Sequence, residues 1–95
     1  MINNIDQYPK QYTVIPRKDV IKNDIPKIKS TGRYFKFERI VNVLKRQPTS
    51  HLFYGEKLNG KPTRYTMRLD IENQVEYTID TKNKVVKIYS AWSHP

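Results

Sequence analysis

The sequence predicts an α+β domain in which a helical hairpin covers one face of a three-stranded antiparallel meander. Three observations predict it. Apolar residues recur at helical spacing across residues 20–44, interrupted at Gly32. From residue 64 the period drops to two and stays there through three successive segments. The chain of 95 residues is long enough for one small domain with a thin core.

Residues 1–10 contain Asn, Gln, Pro and Lys without a period, and a loose arm is expected there. QYTVIP (11–16) carries Tyr12, Val14 and Ile15 ahead of Pro16 and reads as a short strand joining a sheet edge. In RKDVIKNDIPKIK, Val20, Ile21, Ile25 and Ile28 follow helical spacing, with Asp19 and Asp24 toward the start. Pro26 inside a helix removes a hydrogen bond at about 3 kcal/mol, so this helix should kink or break near residues 23–25, with Pro26 opening a second turn. STGRYFKFERIVNVLKRQP predicts the second helix. Ser30 or Thr31 is the expected cap, and Phe37, Ile40, Val41 and Leu44, with Phe35 as a further member, form the apolar stripe. Lys45 and Arg46 suit the negative end of the helix dipole, and Pro48 stops the helix. TSHLFYGEKLNGKPT (49–63) is expected to be a loop, of a length usually reserved for function.

RYTMRLD alternates Tyr65, Met67 and Leu69 against Arg64, Thr66, Arg68 and Asp70. QVEYTID alternates Val75, Tyr77 and Ile79 against Gln74, Glu76, Thr78 and Asp80. A three-residue loop, Ile71-Glu72-Asn73, pairs Leu69 with Val75 and Met67 with Tyr77, and places Asn73 at positive φ. A two-residue turn at Lys82-Asn83 pairs Val86 with Ile79 and Ile88 with Tyr77. On this register Arg68 faces Glu76.

Eighteen Lys and Arg against nine Asp and Glu leave a net charge of +9, which points to a polyanionic partner. The absence of cysteine excludes disulfide and thiolate chemistry. No apolar run nears the roughly 20 residues of a membrane span, and the polar MINNIDQYPK is unlike a signal peptide. Two histidines without cysteine make no zinc motif, and no cofactor is expected. What remains is a polar set around the open face of the sheet: His51, Tyr54, Glu56, Lys57, Lys61, Arg64, Arg68, Gln74 and His94. Cutting an RNA backbone needs a base for the 2′-hydroxyl, cations for the developing phosphorane charge and an acid for the leaving oxygen. A carboxylate, arginines and a histidine supply these. Taken singly, each also has an ordinary reading: Arg68 in a cross-strand ion pair with Glu76, Glu56 solvated on a loop, His94 at a chain end. Composition and pattern alone stop at a basic α+β domain that binds RNA.

The layout of strand, helical hairpin and three antiparallel strands resembles the RelE/ParE toxin superfamily. YTV, FERIVNVLKRQP, GEKLNG, RLDIENQVEYTID and the ending KIYSAWSHP are similar to the Txe/YoeB branch over residues 11–95, with GEKL and AWSH the specific pieces. The resemblance implies a single RelE-like domain and a cytoplasmic, metal-independent endoribonuclease of a type II toxin–antitoxin module. Such a toxin enters the ribosomal A site beside rRNA, cleaves mRNA there, and is blocked by a YefM/Axe-like antitoxin in a homodimer or hetero-oligomer. Glu56 matches the family's general base, Arg68 a phosphate-contacting arginine and His94 the general acid; Lys45, Arg46, Lys57, Lys61 and Arg64 would add RNA contacts. Three positions depart from the pattern: Met67 replaces the first of two paired arginines, Gln74 a catalytic arginine, and Pro95 an aromatic residue. Losing one such electrostatic contact costs on the order of 10²-fold in rate. The alternative is therefore a degenerate, non-catalytic module of toxin fold that binds ribosome, RNA or antitoxin. A ParE-like topoisomerase partner is a third reading. SAWSHP also matches the start of a common affinity tag, in which case His94 has no role.

Overall fold

The computed structural model describes residues 5–93. Strand β1 (Thr13–Pro16) leads into a helical segment that starts as a π-turn (Val20–Asp24) and continues as helix α1 (Ile25–Ser30). Helix α2 (Tyr34–Arg46) follows, then a short 3-10 turn (Leu52–Tyr54), β2 (Glu56–Leu58), β3 (Arg64–Arg68), β4 (Gln74–Asp80) and β5 (Val85–Ser93). The five strands form one sheet in the order β1-β5-β4-β3-β2. β1 runs parallel to β5, and the other neighbours are antiparallel.

The break expected near Pro26 is present. The Ile25 N–H reaches back to the Val20 carbonyl, which widens the turn, and Pro26 then falls in the first turn of α1, where its missing N–H costs nothing. α1 ends on Gly32 at φ 75°, with Arg33 N–H donating to Ile28 O and Gly32 N–H to Lys29 O. This left-handed closure satisfies the last carbonyls and turns the chain sharply into α2. Ser30 and Thr31 do not cap α2 as expected. Their hydroxyls donate back to Lys27 O and Ile28 O and help finish α1, while α2 starts after Arg33 without a side-chain cap.

The helices cover one face of the sheet. Val20, Ile28, Phe37, Ile40, Val43 and Leu44 meet Met67, Leu69, Val75, Tyr77, Val86 and Ile88, all essentially buried. Phe35 is not part of the stripe: it is 73% exposed, and Val43 takes the buried position instead. The N-terminal arm, expected to be loose, is tied down from Asp6 to Tyr8, because Arg46 donates to the carbonyls of Asp6 (3.2 Å) and Tyr8 (2.7 Å). Trp92, partly buried, packs against the core.

Two strand features differ from expectation. The 49–63 loop contains β2, which widens the sheet to five strands. The β3–β4 register is shifted by two residues: Met67 pairs with Val75, Tyr65 with Tyr77 and Arg68 with Gln74. Asp70 sets the longer loop. Its carboxylate accepts from the N–H groups of Glu72 (2.8 Å) and Asn73 (2.7 Å), while Leu69 and Asp70 both donate to Asn73 O. Asn73 is buried and is not among the positive-φ residues. Burial raises the Asp70 carboxyl pKa, but those hydrogen bonds and the Arg33 guanidinium at 2.6 Å outweigh it and hold the group below the ordinary carboxylate range. The β4–β5 register is the expected one, with Ile79 opposite Val86 and Tyr77 opposite Ile88. The strands part after Asp80 and Val85, and Lys84 takes φ 57° in the turn.

Candidate functional site

The sheet face turned away from the helices carries the polar set. Pairing fixes its layout, because side chains directly opposite one another share a face. One row runs Glu56, Thr66, Glu76, Ser90 across β2, β3, β4 and β5. The row on one side holds Arg68, opposite Gln74, which is in turn paired with Ser93. The row on the other side holds Leu58 opposite Arg64, then Thr78 opposite Lys87 and, on β1, Ile15. Glu56 and Arg68 are therefore diagonal neighbours on one face, with backbone positions separated by about 7–8 Å. Two register shifts in β5, one between the partners of Tyr77 and Glu76 and one between those of Glu76 and Gln74, set the Ser93 backbone opposite Gln74. His94 lies outside the described residues, as does Pro95.

Glu56 is placed by a tightly built entry to β2. The Leu52 N–H donates to Ser50 Oγ at 3.1 Å, and the Gly55 N–H is shared between the carbonyls of His51 and Leu52. Phe53 and Tyr54 both adopt left-handed backbone, at φ 55° and 57°, each at a cost of about 1–3 kcal/mol. A Cβ on Gly55 would overlap the Ser50 carbonyl oxygen, so this glycine of GEKL is a steric requirement. Among the described residues no hydrogen bond or ion pair engages the exposed Glu56 carboxylate. Among the described residues Arg68 is held by one hydrogen bond, Nη1 to Ile71 O at 3.0 Å, which uses one of the five guanidinium donors.

Not every expected residue reaches this face. Lys57 alternates away from Glu56, opposite Tyr65, and lines a cleft of about 310 Å³ with Ser50, His51 and Tyr77. The Tyr77 hydroxyl closes the base of that cleft by donating to Pro48 O at 2.9 Å; burial first, and the nearby Tyr65 hydroxyl second, push its pKa up. His51 Nδ1 lies 3.3 Å from Gly55 O and serves the turn. Tyr54 is 79% exposed beside Glu56 in sequence, and Lys61 is exposed in the β2–β3 connection. Lys45 and Arg46 belong to the helical side: Lys45 borders a groove with Val14, Ile25 and Phe37, and Arg46 is committed to the N-terminal arm. Arg68 does not face Glu76. The two-residue register shift puts Thr66 there, and Arg64 takes the carboxylate at 3.5 Å.

One cluster escaped the sequence reading. Arg64 lies 3.8 Å from the centroid of the Tyr89 ring, Lys87 5.4 Å and Arg17 5.6 Å. The alternation of KVVKIY was the available signal, since it sets Lys87 and Tyr89 opposite to Val86 and Ile88.

No protein-family model matches the chain, and no curated protein sequence does. Solved structures do. The archaeal RelE–RelB complex from Pyrococcus horikoshii OT3 matches with a TM-score of 0.71 and 27% identity, over 87% of this chain and 94% of that one. The YoeB–YefM complex from Staphylococcus aureus matches with a TM-score of 0.69 and 18% identity, over 88% and 98%. A heterotetrameric YoeB–YefM toxin–antitoxin complex from the same organism gives 0.66 and 19%, over 88% and 98%. The chain thus has the RelE/YoeB-like toxin fold of the RelE/ParE superfamily.

Proposed function

We propose that this chain, with its RelE/YoeB-like fold, is the toxin of a toxin–antitoxin pair and acts as a metal-independent mRNA endonuclease at the ribosomal A site in the cytoplasm. The observation that carries the reading is the Glu56–Arg68 diagonal on the open sheet face, beside the strand end that leads to His94. Glu56 takes the proton of a ribose 2′-hydroxyl, and the freed oxygen attacks the adjacent phosphorus. Arg68 holds the charge that builds on the phosphoryl oxygens. His94 gives a proton to the departing 5′-oxygen, leaving a 2′,3′-cyclic phosphate and a 5′-hydroxyl. Lys61 adds positive charge near the same face, and the net charge of +9 draws mRNA and rRNA with an affinity that falls as salt rises. The same charge suits an acidic YefM- or RelB-like antitoxin segment that folds as it binds.

Induced expression of the chain without an antitoxin should arrest growth and cut message in a translating extract. Glu56→Ala and His94→Ala should each relieve both effects. High soluble expression with normal growth and intact message would end this reading.

A second reading, a non-catalytic binding module of the same fold, is favoured by Gln74. It stands directly opposite Arg68 and brings a neutral amide where the resemblance calls for a cation. Under that reading the unaltered chain binds ribosomes without cutting, and Gln74→Arg switches cleavage on.

A further inference from the structure

We propose that Arg17, Arg64 and Lys87, gathered around the Tyr89 ring, form a second subsite for single-stranded RNA, one that grips nucleotides flanking the cut. The proposal rests on the reading above that RNA is the substrate. It extends that reading to a part of the surface the cleavage chemistry does not use.

The cluster has more positive charge than its surroundings can neutralise. Arg17 and Asp19 pair at 3.3 Å, but both side chains are about half exposed, so the pair is weak. Arg64 meets Glu76 only at 3.5 Å. Among the described residues Lys87 has no carboxylate within ion-pair distance, and Lys18 stands next to Arg17 in the same groove. Three cations within 5.6 Å of one ring centroid are close enough to repel each other at a Debye length of about 8 Å. The quadrupole of the ring attracts each cation but cannot cancel its charge. A phosphate chain laid across the cluster can.

Shape and chemistry favour RNA over an acidic peptide. A groove of about 520 Å³ runs along the β1 edge, lined by Ile15, Pro16, Arg17, Lys18, Asp19 and Lys87, so three cations there face a single carboxylate. Arg64 stacked at 3.8 Å on Tyr89 makes a flat guanidinium–aromatic platform, the kind of surface on which unpaired bases stack. A carboxylate side chain has no use for such a platform. Position separates the cluster from the cut. Arg64 and Arg68 are four residues apart on β3, about 13 Å at strand rise, and Lys87 is three strand spacings from Glu56, about 14 Å. One phosphodiester cannot touch both places, whereas a strand crossing the open face can.

The test uses the full chain carrying Glu56→Gln, so that binding is read without cleavage. Labelled single-stranded RNA of roughly 12 nucleotides is titrated by fluorescence anisotropy across a salt series. Lys87→Ala and Arg17→Ala should each weaken binding to all sequences and flatten the slope of log K against log salt by about 0.7. Tyr89→Ala should weaken binding about 5- to 150-fold, and Tyr89→Phe, which keeps the ring, should stay near the parent. Affinity and slope unchanged in Lys87→Ala and Arg17→Ala would overturn the proposal. So would their losing affinity for a polyglutamate peptide while RNA binding stays intact. Thermal melts of the two exposed-cation variants confirm that the fold is kept. A chain that never cuts message but shows these binding losses would refute the nuclease and keep the subsite. A chain that cuts message while these variants bind RNA normally would do the reverse.

Discussion

The Ala91 N–H offers a direct test of how the helices hold the last strand. β1 pairs with β5 only as far as Ile88, and Arg17 N–H makes the last bond of that ladder. Three residues on, Ala91 is fully buried and its N–H donates to the Asp24 carboxylate at 3.0 Å. Asp24 closes the π-turn, so this one bond ties the helical layer to the stretch of β5 that approaches the Arg68 row. Asp24→Ala leaves a buried donor without an acceptor, and a bond to a charged group of this kind is worth about 1.5–3 kcal/mol. For a domain of this length, a loss of about 2 kcal/mol lowers the melting temperature by roughly 8–16 °C. Asp24→Asn removes the same charge and keeps an acceptor oxygen, so the difference between the two variants isolates the hydrogen bond from the electrostatics of a chain at +9. Urea and thermal unfolding of the parent and both variants give the comparison. The reasoning is refuted if Asp24→Ala and Asp24→Asn unfold together within about 0.5 kcal/mol, the scatter of ordinary surface changes.

Other outcomes follow from the same geometry. Tyr77→Phe deprives the Pro48 carbonyl of its donor and should cost about 1–3 kcal/mol in denaturant unfolding, with the sheet otherwise unchanged. Asp70 has a folded-state pKa below its unfolded value, so its contribution is complete above the unfolded carboxylate pKa of about 3.9 and is lost as pH falls below it. Urea midpoints of Asp70→Asn should therefore lie below the parent at pH 7 and converge toward it near pH 3. Gln74→Arg sets a second cation opposite Arg68 and should raise message cleavage by on the order of 10²-fold in a translating extract; equal rates would show that position 74 does not limit the reaction.

The hydrophobic pattern carried faces well and register poorly. Alternation in RYTMRL and QVEYTI assigned Tyr65, Met67, Val75 and Tyr77 to the core face correctly. A two-residue slip leaves every one of those assignments intact, so the pattern could not distinguish the expected pairing from the observed one. The decision lay with Asp70, whose carboxylate organises the loop through the Glu72 and Asn73 N–H groups and the Arg33 side chain. Arg33 comes from the turn between the helices and is invisible to any local reading of the hairpin. β2 was missed for a different reason: Glu56, Lys57 and Leu58 are all exposed, so an edge strand of three residues leaves no alternation to read. Phe35 is apolar but comes two residues before Phe37, a rotation of about 200° that sets it opposite the Phe37–Ile40–Leu44 stripe and in solvent.

The departures from the toxin pattern do not weigh equally once the strands are paired. Met67 is fully buried on the helix-facing side of β3, among the core residues. An arginine there would have to bury its charge or open the core, so its absence reflects packing and takes nothing from the open face. Gln74 is on that open face, opposite Arg68, within the row that ends at Ser93. A side chain at position 74 therefore bears directly on the proposed phosphate site, and one at position 67 does not. The choice between a cutting and a non-cutting protein thus turns on Gln74 and the residues beyond Ser93. Lys87 lies two rows from Arg68 on the same face, with Arg17 and Tyr89 gathered beside it, so the proposed RNA subsite does not depend on that choice.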